Sequence, residues 1–290
     1  MNYVLHLLIQ LAIFTLAAYA LNVVVGYTGL LSLSHATFFG VGAYAVALLA
    51  TTETISAFPA QLFVGVLAAM LFSTMIAGPA LRLKEDYFVL ATLGVQLVFT
   101  SVVQNWSTLT NGPLGIRAIP RPTLVTAAGG TVAMFLIVAA LVVFVSMVAL
   151  FRILNSPFGL ALKAVREDEL SAQALGKDVK TLKVQALVIS AMFASIAGSL
   201  YAAYVTFVDP SSCNLDMSIF MVAMVVLGGS GNLKGPVIGA AAMIALPELL
   251  RFLSVPSAIA ANLRQIIYGA ALVVVMRYRP QGIAGEYRFE

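Results

Sequence analysis

The side chains able to do chemistry in this sequence are few and mostly neutral. His6 and His35 are the two histidines, and Cys213 is the single cysteine. One cysteine cannot close an intrachain disulfide, and neither histidine has a ligand partner near it in sequence, so no metal site is expected. No G-x-x-x-x-G-K-[ST] phosphate loop occurs. Gly229 to Lys234 comes nearest and lacks the spacing. The chain therefore carries no catalytic constellation and no cofactor is expected. What remains is a set of polar residues inside apolar runs: Asn22, Ser32, Ser34, His35, Thr37, Gln96, Gln104, Asn105 and Ser190. Such groups can hydrogen-bond a passing zwitterion or small polar solute, or tie helices together. Ser32, Ser34, His35 and Thr37, set among glycines that let backbone approach a solute, lead as substrate-pathway candidates, with Asn22 and Gln96 next. His35 as a buried structural residue is the competing reading.

An ion-coupled carrier keeps ionisable groups in the middle of its membrane helices. Here Glu53, Asp209 and Asp216 fall at expected helix ends, and Glu85 and Asp86 fall in a loop. Only Glu248 lies within an apolar run, and Arg251, three residues on, is spaced to pair with it. A pathway of neutral groups must take its energy from elsewhere.

The elements that position these groups are membrane helices. Of 290 residues, 61% are hydrophobic and 10% charged, and the mean hydropathy is +1.00, against roughly 25% charged residues in soluble domains. Apolar runs fall near 3–25, 35–52, 58–81, 87–104, 125–151, 185–208, 217–229, 236–254 and 260–276. The first has no basic flank and is too long for a signal-peptide core, so it counts as a membrane helix. The expected fold is an all-α, polytopic transmembrane bundle of about eight to ten segments in one domain over residues 1–290. Its surface belongs to membrane lipid, and nucleic acid is not an expected ligand.

Charge sets the orientation. The stretch from Arg152 to Lys183 holds six of sixteen basic and four of twelve acidic residues, and the positive-inside rule places it in the cytoplasm. Alternating outward puts twelve of sixteen basic residues on that face and the N-terminus on the other, which closes with nine crossings. Two runs, 35–52 and 217–229, are short or rich in small residues, and each adjoins a Gly-rich segment sharing G-x-x-G: Gly26 with Gly29, and Gly228 with Gly231. Broken helices lining a cavity and ordinary Gly-mediated packing both fit that pattern.

Within the cytoplasmic stretch Ser156 and Pro157 read as N-cap and first helical residue, Leu160 to Leu175 favours one helix, and Gly176 supplies its left-handed cap. Asp178 can cap the next helix. Leu162, Val165, Glu169 and Ala172 form one stripe, suited to a groove on a partner or to lipid headgroups.

Four stretches combine into a family resemblance: GYTGLLSLSHATFFGVGAYA from Gly26, DYFVLATLGVQLVF from Asp86 with TNGPLGIRAIPRP from Thr110, SPFGLALKAVREDELSAQALGKDVKTLKVQALVIS from Ser156, and LGGSGNLKGPVIGAA from Leu227. In order and spacing they resemble the LivM-type permease of bacterial branched-chain amino-acid ABC importers. The resemblance implies a multi-pass protein of the bacterial inner membrane, paired with a LivH-type sister permease. It implies two cytoplasmic ATP-binding subunits as the energy source and a periplasmic solute-binding protein as the supplier. It also places the ATPase-coupling segment on Ala164, Val165, Arg166, Glu167, Asp168, Leu175 and Gly176. Related permeases of the same family serve urea and short amides, and a passive channel or secondary carrier is the remaining alternative class.

Overall fold

The computed structural model describes residues 2–252 except 53, 54, 56, 84, 123, 124 and 126–130, together with 263, 266, 267, 269, 270, 273–275, 277 and 281–284. The helices are α1 Asn2–Thr28, α2 His35–Thr51, α3 Phe58–Ala80, α4 Glu85–Asn105, the short α5 Ser107–Thr110, α6 Val132–Leu154, α7 Pro157–Glu167, α8 Glu169–Ala174, α9 Val179–Val205, α10 Leu215–Gly228 and α11 Gly235–Phe252. Strand structure among the described residues is one antiparallel pair of two-residue strands, β1 Ile116–Arg117 and β2 Phe207–Val208, in register Ile116 to Val208 and Arg117 to Phe207. The all-α expectation holds. Most of the final apolar run, 260–276, and the partner side chain of Glu248, Arg251, lie outside the described residues.

Among the described residues, five helices are long and apolar enough to cross a membrane: α1, α3, α4, α6 and α9. The other apolar helices fall short. At about 1.5 Å per residue, the 17 residues of α2 and the 14 of α10 span about 25 and 21 Å, against a hydrocarbon core of about 30 Å. α3, α4 and α6 turn Phe63, Leu71, Met75, Val98, Leu141 and Phe144 outward, as a lipid-facing belt requires.

The interior is built around α9, which packs on α1, α2 and α3. Lipid tails are as apolar as leucine, so helix association here depends on close van der Waals packing. The sequence supplies it with small residues. A Cβ on Gly198 of α9 would stand 1.8 Å from the Phe39 carbonyl oxygen of α2, and one on Gly42 would stand 2.1 Å from that of Ser195. These two glycines let the backbones of α2 and α9 touch.

Contacts between distant segments sort the elements by end. His6 meets Tyr204, and the β1–β2 pair joins the loop after α4 to the loop after α9. At the opposite, basic end, Arg166 reaches the end of α1. The backbone N–H groups of Ile283 and Ala284 there donate to the carbonyls of Leu227 and Gly228 at the end of α10. The two G-x-x-G segments meet at this end as well. Asn22 of α1 accepts from Gly231 N–H at 3.2 Å and donates to the Asn232 carbonyl at 2.8 Å, and a Cβ on Gly26 would lie 2.5 Å from Gly231 N.

The charged stretch departs from the single rod expected over Leu160 to Leu175. α7 stops at Glu167, and Asp168 is extended (φ −158°, ψ 110°). Its carboxylate then caps α8 by accepting from Leu170 N–H at 2.8 Å and Ser171 N–H at 3.1 Å. The cause is local: an Asp followed by Glu-Leu-Ser makes a better N-cap than helix interior. The apolar stripe is also turned inward. Leu162 is buried in the main core, and Val165 and Ala172 pack on Val179 of α9.

Candidate functional site

α2 and α10 do not traverse the bundle. The chain leaves α1 at the basic end and passes through the non-helical residues 29–34 before α2 begins at His35. From the other end it descends from β2 through a single 3-10 turn, Pro210–Cys213, before α10 begins at Leu215. The two helices start deep in the bundle with their N-termini against each other. Ala36 N–H of α2 donates to Ser218 Oγ of α10 at 3.0 Å.

Gln96, halfway along α4, binds both. Its Oε1 accepts from Thr37 Oγ1 at 2.9 Å and from Ser218 Oγ at 3.2 Å, and its Nε2 donates to the Cys213 carbonyl at 2.7 Å. Thr92, one turn away on α4, accepts from Leu33 N–H at 3.1 Å. Behind α2, the Ser190 hydroxyl of α9 donates to the Ala20 carbonyl of α1. His35 Nε2 lies 2.6 Å from the same hydroxyl. Ser32 and Ser34 hydroxyls lie 3.1 Å apart beneath it. Every member of this knot is fully buried.

On the side of the knot away from the basic end lies a cavity of about 720 Å³ between α1, α9, α10 and α11. Phe14, Met217, Phe220, Ala223 and Met243 give it an apolar wall, and Asn214 and Asp216 stand at its polar rim.

At the basic end α7, α8 and the start of α9 form an elbow. Ser156 and Asp178 cap α7 and α9 through Phe158 N–H and Thr181 N–H, and Gly176 turns the chain at φ +76°. Arg166 is the clasp. Its side chain is only 10% exposed; Nη1 donates to the Gly26 carbonyl at 2.6 Å and Nη2 to Glu167 Oε1 at 2.6 Å. Lys163 sits over the Tyr27 ring, 5.3 Å from its centroid, and Lys183 pairs with Glu169. Leu170 and Leu175, 77% and 79% exposed, project away from the bundle. Hydroxyl and backbone hydrogen bonds from Ser171 and Thr181 hold the Asp168 and Asp178 carboxyls below their ordinary range.

The profile of the family described as branched-chain amino acid transport system / permease component matches residues 3–276. The chain belongs to this family. It is 34% identical over 294 residues to the high-affinity branched-chain amino acid transport system permease protein LivM of Escherichia coli K12, covering 93% of this chain and 67% of that protein. The Salmonella typhimurium protein of the same name is 33% identical over the same extents. A branched-chain amino acid transport permease protein LivM of Methanocaldococcus jannaschii is 28% identical over 219 residues, 72% of this chain and 62% of that one. No solved structure matches.

Seen as a multi-pass permease, the chain brings together five of the six residues expected along a pathway: Ser32, Ser34, His35, Thr37 and Gln96 all belong to the knot. Asn22 stands apart and holds the Gly-rich loop. Ala164, Glu167, Asp168, Leu175 and Gly176 lie on the exposed side of the elbow, whereas Val165 is buried and Arg166 points back to α1. Sequence reasoning missed Thr92 and Ser218 in the knot, and the exposed Leu170 of the elbow. It also treated Asp216 as lying at a helix end remote from the membrane centre. That helix end is itself deep in the bundle, because α10 begins there. The apparent shortness of the run 217–229 was the available signal.

Proposed function

We propose that this permease is a transmembrane subunit of a bacterial ABC importer that moves branched-chain amino acids inward across the inner membrane. A LivH-type sister permease completes the pathway, two ATP-binding subunits supply the force, and a periplasmic binding protein delivers the solute. The relatives are transport permeases of branched-chain amino-acid systems, and the chain has no phosphate loop of its own.

One observation carries the mechanical part: Arg166, in the elbow, holds the Gly26 carbonyl at the end of α1, three residues before the non-helical segment that leads into the knot. Ala164, Glu167, Asp168, Leu175 and Gly176 meet the ATPase, with Leu170 as a further anchor. When the ATPase subunits close, the elbow moves as a unit because Val165, Ala172 and Val179 pack it against α9. Arg166 passes the displacement to residues 29–34 and so to Ser32, Ser34, His35, Thr37 and Gln96. The knot is then the barrier between the two access states. Its bonds are neutral, so they can be exchanged for bonds to a solute or water without desolvating a charge.

Reconstituting the chain with its partner subunits in proteoliposomes tests this. Leucine uptake is expected to require ATP and to survive collapse of the ion gradients. Uphill uptake by the chain alone, or uptake that follows an ion gradient without ATP, would overturn it.

A further inference from the structure

Asp216 occupies an unusual place. It follows Asn214, the N-cap of α10, and precedes Ser218, which belongs to the knot. At about 1.5 Å per residue its carboxylate stands only about 3 Å along the helix axis from the knot, near the middle of the bundle. An ionised group at that depth is costly unless it faces water, a partner charge or a ligand. Its carboxylate accepts a hydrogen bond from Asn214 Nδ2 at 3.1 Å. It is absent from both ion pairs found among the described residues, and it is exposed at the rim of the 720 Å³ cavity.

The rest of the cavity fixes what can satisfy it. Phe14, Met217, Phe220 and Met243 line the same cavity and give it an apolar surface. A metal ion does not fit, since no group of three or more His, Cys, Asp or Glu side chains that could hold one occurs among the described residues. A small solute with an ammonium group and a compact apolar side chain matches both surfaces, and a volume of this size is typical of small-molecule sites.

We propose that Asp216 is the ammonium-binding residue of a solute site on the outer side of the knot, with Phe14, Met217 and Phe220 receiving the solute's apolar side chain. The assignment rests on the importer reading above and sharpens it: the site selects amino acids over neutral amides, which give a carboxylate no charge to pair with. The knot closes the floor of the site until the elbow moves.

Two measurements on the complete complex test it. In the wild-type complex, a hydrophobic carbodiimide is expected to modify Asp216, as mapped by mass spectrometry, and leucine is expected to protect it while 4-methyl-2-oxopentanoate, which lacks the ammonium group, does not. In proteoliposomes, Asp216→Asn is expected to lower leucine uptake at subsaturating concentration by about tenfold or more, the scale of one charge-assisted hydrogen bond. Asp216→Glu should recover most of that loss, with equal copurification of the partner subunits. Labelling that leucine does not slow, protection by sodium or by the keto acid, or a carboxylate already blocked in the empty complex would overturn the assignment, as would wild-type uptake by the Asn variant. A wild-type complex that fails to accumulate leucine with ATP strikes the importer reading instead.

Discussion

The knot and the elbow are held together by opposite kinds of chemistry. In the knot the bonds are neutral and lie in the buried interior, between amide, hydroxyl, imidazole and backbone groups around Gln96 and His35. In the elbow the holding groups are charged and mostly near the surface: Arg166 with Glu167, Lys183 with Glu169, and the capping carboxylates of Asp168 and Asp178. Away from water a lost neutral hydrogen bond leaves a stranded polar group, whereas near water the stranded group is re-solvated. The knot should therefore resist single changes less well than the elbow. The elbow should lose transmission before it loses structure.

The largest effect is expected at Gln96. Gln96→Leu strands the Cys213 carbonyl and removes the shared acceptor of Thr37 and Ser218, a cost of about 2–3 kcal/mol. The detergent-solubilised protein should show a clearly lower melting temperature. A Gln96→Leu protein as heat-stable as wild type would erase the contrast on the knot side.

Changes in the elbow should spare insertion and strike coupling. Gly176→Pro comes next in size, because proline fixes φ near −65° where the chain needs +76°, and it removes the N–H that donates to the Gln173 carbonyl at 2.9 Å. ATP hydrolysis by the assembled complex should continue while uptake is lost. Gly176→Ala is the graded control: nothing lies within 4 Å of its added Cβ, so only the left-handed strain of about 1–2 kcal/mol remains, and uptake should fall partially.

Arg166→Ala, smaller again, frees the elbow from the Gly26 carbonyl and should reduce the uptake obtained per ATP by roughly tenfold, equivalent to about 1.4 kcal/mol of lost linkage. Reversing the charges of Arg166 and Glu167 together restores their pairing but cannot restore a donor to Gly26, so it should behave like Arg166→Ala. Full coupling in the reversed pair would show that the contact to α1 transmits nothing.

How much of this was legible beforehand follows the same division. The caps at Ser156, Gly176 and Asp178 were readable, because each depends on its own side chain and its immediate neighbours. The break at Asp168 was carried by equally local chemistry, but a 3.6-residue apolar stripe running across it looked like one rod. For the knot, the sequence marked Ser32, Ser34, His35, Thr37 and Gln96 as polar residues in apolar surroundings and left open whether they met. Ser218 and Thr92 were indistinguishable from ordinary hydroxyls in helices. What makes them partners is the meeting of two helix N-termini 182 residues apart, as in the Ala36 N–H to Ser218 bond, and no local pattern encodes that. The depth of Asp216 was hidden for the same reason.

The smallest expected effect is on acid sensitivity, and it separates the two regions cleanly. Asp168 and Asp178 ionise more readily in the folded elbow than when unfolded, owing first to the hydroxyls of Ser171 and Thr181 and then to backbone N–H groups. Their folded pKa values lie below the unfolded one, so their stabilisation is fully present above the ordinary carboxylate value of about 3.9. It is lost as pH falls through the depressed folded values. Amide hydrogen exchange in α8 and the first turn of α9, corrected for intrinsic rates, should stay flat from pH 7 down to about 5 and rise only toward pH 3. Asp168→Asn, which keeps a capping oxygen, should abolish the Asp168 part of that acid response with little change at neutral pH. The knot has no carboxylate among its hydrogen-bonded members, so protection around Thr37, Gln96 and Ser218 should not follow the elbow. Parallel loss of protection in both regions over the same pH range would mean that the two are one cooperative unit, and that the elbow cannot move without opening the knot.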